Sequence, residues 1–94
     1  MKAGLLTVSL RLYGIGSLKD RRSVVKRLLA DIHQLGPPYA ICELPEEDGL
    51  DRLTLRVAHI SSDARFTDSA LRRVAERFEH KGDFDVVETH LEVL

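Results

Sequence analysis

The densest chemistry in the chain lies between Gly14 and Arg27. Five cations, Lys19, Arg21, Arg22, Lys26 and Arg27, stand there against a single acid, Asp20. Gly14, Gly16 and Ser17 precede them. Free N–H groups at a helix start, glycines that admit a close approach and clustered cations suit a phosphate or another anion. Such a site would use Ser17, Lys19, Arg21, Arg22 and Lys26. The pattern is neither a dinucleotide fingerprint nor a P-loop, because the third glycine and the Gly-Lys-Ser/Thr ending are absent. The plainer alternative is a snorkelling Arg21 among solvated neighbours. In that case Glu43, Glu46, Glu47, Asp48 and Asp51, of the same or another chain, neutralise the cations.

Other chemistries find little support. The histidines, His33, His59, His80 and His90, are scattered and share no ligand spacing with a nearby carboxylate, so no metal site is expected. Cys42 is the only cysteine, which excludes an intrachain disulfide, a cysteine-rich zinc site and an iron–sulfur cluster within one chain. It reads as a buried, inert thiol. No Ser-His-Asp or Cys-His arrangement can be argued. No catalytic residue and no cofactor is therefore expected.

These residues need elements to hold them. From Ala3 to Tyr13, Leu6, Val8, Leu10 and Leu12 alternate with Leu5, Thr7, Ser9 and Arg11, which is a half-buried strand. Ser17, with Asp20 three residues on, caps a helix. Its apolar stripe is Val25, Leu28, Leu29, Ile32 and Leu35, and Arg21 lies about 40° from Val25, on the stripe itself. Gly36 ends the helix and Pro37-Pro38 prevents its return. Tyr39 to Leu44 is a short strand, and Asp48-Gly49 turns the chain. Arg52 to Ile60 is the next strand. Ser61-Ser62-Asp63 caps a second helix with stripe Phe66, Ala70, Leu71, Val74, Ala75 and Phe78. Phe84 to Leu94 closes the chain, with Val87, Leu91 and Val93 on one face and Glu88, His90 and Glu92 on the other.

The order β, α, β, β, α, β predicts one α+β domain over residues 1–94, a ferredoxin-like sandwich. Its four-stranded antiparallel sheet would carry both helices on one face. The other face, with Arg11, Arg56 and His90, would be solvated or covered by a partner. Apolar residues are 44% and charged residues 31% of the chain, as in ordinary globular proteins. No apolar run is long enough to span a bilayer, and the start has no signal-peptide layout, so no membrane association is expected. Ferredoxin-like sheets can read RNA with exposed aromatics, but the first and third strands offer Thr7, Ser9, Arg11, Thr54 and Arg56 instead. The acylphosphatases of this fold need a catalytic asparagine, and the chain has none.

The run from Gly16 to Lys26, Gly-Ser-Leu-Lys-Asp-Arg-Arg-Ser-Val-Val-Lys, resembles the YlxP-like family of small bacterial proteins, a domain of unknown function. Val57-Ala58, the Ser62-Asp63 turn and the closing strand continue the match. Arg21 replaces a more usual Lys, and Leu50 stands where a large aromatic is usual. The resemblance implies a ferredoxin-like fold in a cytoplasmic protein whose gene lies among those for translation initiation and ribosome maturation. Three readings follow. The leading one is a non-enzymatic protein that contacts ribosomal or precursor RNA through the first helix, with a salt slope of about −3 to −4 for four phosphates. The second is a self-associating module, a dimer as first guess, pairing through the open sheet face or an edge strand. The third is a small-anion sensor at residues 14–17.

Overall fold

A computed structural model describes residues 1–45, 49–79 and 82–94. Its element order is β1 (Lys2–Leu12), α1 (Leu18–His33), β2 (Tyr39–Leu44), β3 (Arg52–Ser61), α2 (Ala64–Glu79) and β4 (Phe84–Val93). The four strands form one antiparallel sheet in the order β2-β3-β1-β4. This is the ferredoxin-like α+β arrangement that the alternating and helical patterns predict.

Alternation decides which face of each strand is buried. Leu6, Val8, Leu10 and Leu12 of β1 join Leu53, Leu55 and Val57 of β3 beneath the helices. α1 lowers Val25, Leu28 and Ile32 onto this layer, and α2 lowers Ala70, Leu71, Val74 and Phe78. Each buried leucine or valine contributes roughly 1.5–3 kcal/mol. α1 packs on β2, whereas α2 packs on β1, β3 and β4. The helices therefore sit side by side on one face, and among the described residues the opposite face carries no element.

One close approach shapes α2. Gly4 is buried in β1, and a Cβ there would meet Thr67 Cγ2 at 2.6 Å and Leu71 Cδ1 at 2.7 Å. Only glycine lets the first turns of α2 lie this near the sheet.

Four sequence expectations change. Cys42 is exposed rather than buried, because the β2 register places it beside Arg56 on the open face. Val87 is 50% exposed, and Val86 packs against the core in its place. The cause is a bulge: Leu10 pairs with Val86 and Ser9 with Glu88, leaving Val87 unpaired. Phe66 is 53% exposed, and Thr67 takes the core position at the start of α2. Leu35 lies beyond the end of α1 and is exposed. Of the expected hairpin, Gly49 adopts φ +111°, while Asp48, like Glu46 and Glu47, lies outside the described residues, as does His80.

Candidate nucleic-acid interface

Local rules set up the first helix as expected. Ser17 is extended, and its Oγ accepts the Asp20 N–H at 3.1 Å. The Asp20 carboxylate reaches back to accept the Gly16 N–H at 3.0 Å. The first bond satisfies a donor that the helix start leaves open, and the second ties the residue before the cap to the same turn. They also put the chain's own carboxylate in the loop where a small anion would sit.

The cations then divide by direction. Arg21 projects toward the sheet with its side chain only 14% exposed. Its Nη1 donates to Glu43 Oε2 at 3.0 Å, and its Nη2 to the Arg52 carbonyl at 3.2 Å. One guanidinium thus ties α1 to β2 and β3, using the fork that suits paired acceptors. Arg27 turns to the other flank and pairs with Asp83, just before β4. Lys19, Arg22 and Lys26 are exposed and form no ion pair among the described residues.

Those three side chains make a stripe. At about 100° per residue they fall within about 60° of one another and run about 10 Å along α1. The buried Val25, Leu28 and Ile32 lie roughly 115° away around the helix. Leu28 and Asp31 border the crevice with Arg77 and Phe78 of α2, so the stripe occupies the opposite flank, above edge strand β2. Of the five residues expected to bind an anion, the structure thus lines up Lys19, Arg22 and Lys26. It commits Arg21 to Glu43 and Ser17 to the cap.

A second polar cluster lies at the far end of the helix layer. His59 is 1% and Thr67 0% exposed. The Ser61 hydroxyl donates to the Asp63 carbonyl at 2.8 Å. Thr67 Oγ1 lies 2.6 Å from Ser61 Oγ, and His59 Nδ1 lies 3.0 Å from Thr67 Oγ1. One assignment uses each proton once: Nδ1–H donates to Thr67, Thr67 to Ser61, and Ser61 to the carbonyl. The rings of Tyr39 and Phe66 stand 4.8 and 5.7 Å from the His59 ring. Burial holds the imidazole below its ordinary pKa. With His59 and Thr67 closed to solvent, the chain of hydroxyls joins β3 to α2. The sequence signal for it was present, because His59 continues the buried alternation of Leu53, Leu55 and Val57.

No group of three or more His, Cys, Asp or Glu side chains could hold a metal ion among the described residues. No helix among them is long and apolar enough to cross a membrane. No curated protein matches the chain significantly. Residues 3–91 match the family model described as "Protein of unknown function (DUF503)", and the chain belongs to that family.

Proposed function

We propose that this is a non-catalytic binding protein that holds the phosphate backbone of ribosomal or precursor RNA along the outer flank of α1. The observation that carries the reading is the stripe of Lys19, Arg22 and Lys26, exposed and without ion pairs among the described residues. A helix N-terminus carries roughly +0.5 charge, so Lys19 in the first turn of α1 opposes the macrodipole at a cost of a few tenths of a kcal/mol. Side chains kept against a local cost point to a use elsewhere. Arg21 and Ser17 act by setting the helix in place. The resemblance to proteins encoded beside ribosome-maturation genes favours RNA among polyanions.

Phosphate contacts of this kind release counterions, and three of them give a log–log salt slope of about −2 to −3. The test is fluorescence anisotropy with a structured RNA from about 50 to 300 mM salt. Replacing Lys19, Arg22 and Lys26 together by alanine should weaken binding at least about tenfold and flatten the slope. Arg21→Ala should instead leave the slope unchanged and cost about 1 kcal/mol of stability, several degrees of Tm. Salt-independent binding by the native chain, or an unchanged affinity in the triple variant, would remove the proposal.

A further inference from the structure

We infer that the open face of the sheet is a self-complementary surface, covered face to face by a second copy of this chain. The inference is independent of the RNA reading, because this face lies across the sheet from α1.

Charge of the two signs lies in separate rows on that face. β3 contributes Arg52 and Arg56, and β1 contributes Arg11. β4, on the other side of β1, contributes Asp85, Glu88 and Glu92 around His90. Neither the three arginines nor the three carboxylates join an ion pair among the described residues. Arg56 donates to Thr7 at 3.0 Å, and Asp85 accepts from Tyr13. β3 and β4 lie two strand spacings apart, about 10 Å, and Asp85, which faces Arg11 across one spacing, is taken by Tyr13. Arg11 stands between Arg52 on β3 and Asp85 on β4.

A two-fold axis along β1 removes this separation. It lays β4 of the second copy over β3 of the first, and β3 over β4, without changing level along the strands. The register puts Arg52, Arg11 and Asp85 on one level and Arg56, Thr7 and His90 on another. Asp85 of the second copy then lies over Arg52. Arg56 falls between Glu88 and Glu92 of the second copy, and the same contacts recur by symmetry. Thr7, Ser9 and Thr54 fill the middle with small side chains, and Leu5 with Ala58 gives an apolar patch beside them. The three strands that overlap, β3, β1 and β4, are about ten residues long and offer roughly 480 Å² per copy. The total of roughly 950 Å² falls at the small, transient end of specific interfaces, which fits a weak, salt-sensitive dimer.

Charge exchange tests this directly. Sedimentation velocity of the native chain at about 50 mM salt should show a monomer–dimer equilibrium between about 1 and 200 µM. The Arg52→Glu/Arg56→Glu variant and the Glu88→Arg/Glu92→Arg variant should each dimerise at least tenfold more weakly. An equimolar mixture of the two should recover the native affinity, since each supplies what the other has lost. Glu88 and Glu92 are exposed and unpaired, so the second variant keeps its fold, which far-ultraviolet circular dichroism verifies. A native chain that stays monomeric, a variant that dimerises as the native chain does, or a mixture that stays monomeric would each overturn the assignment.

Discussion

His59 is the titratable side chain whose surroundings differ most from water. Burial lowers its folded pKa, no carboxylate pairs with it among the described residues, and Thr67, Tyr39 and Phe66 surround it. A base with a depressed folded pKa binds more protons unfolded than folded, so stability rises with pH through that interval. The contribution is complete above the unfolded value near 6.5 and declines as pH falls from there to the folded value, by at most about 1.4 kcal/mol per pH unit. Urea denaturation between about pH 7.5 and 5 should show this decline. His59→Gln, which keeps an amide donor for Thr67, should remove most of it. An undiminished decline in that variant would show that His59 is not its source.

Between elements, distances of closest approach and side-chain bridges do the positioning. Gly4 allows α2 to rest on β1, and Gly4→Ala would drive a methyl group into Thr67 and Leu71. Thr67 is β-branched and fixed by His59 and Ser61, so it cannot yield easily. The expected cost is about 1–3 kcal/mol, read as a lowered midpoint in thermal or urea unfolding, and a neutral result would mean that the helix can lift freely. The elements themselves were legible because strand periodicity, the Ser17 cap and the Gly36 stop are local signals. Register was not. The side of the sheet that Cys42 occupies follows from how β2 pairs with β3, and the exchange of Val87 for Val86 follows from a single unpaired residue. The stripe of Lys19, Arg22 and Lys26 could be counted out along the helix. The diversion of Arg21 to Glu43 could not, because it depends on where β2 comes to lie beside α1.

At the scale of the whole molecule, the sheet separates two surfaces of different character. The helix side carries an uncompensated run of positive charge, and the far side carries both signs in separate rows. The outer strands differ as well. β2 is short and bounded by Pro38 and Pro45, whereas β4 is long and interrupted by its bulge. Deleting Val87 would restore unbroken alternation through Val86, Glu88 and Thr89, without moving any core residue to the wrong face. The shortened chain should fold, and it should form light-scattering aggregates on heating sooner than the native chain, because a straight, unpaired edge is a template. If the two scatter alike, the bulge gives no protection. The unpaired residue in β4 then has a meaning for copy number. A face that closes on itself ends with a pair, but a free strand at each side of the sheet would let pairs add end on end into fibres. In the face-to-face pair inferred above, Val87 would spoil one of those sides and hold association at a discrete particle.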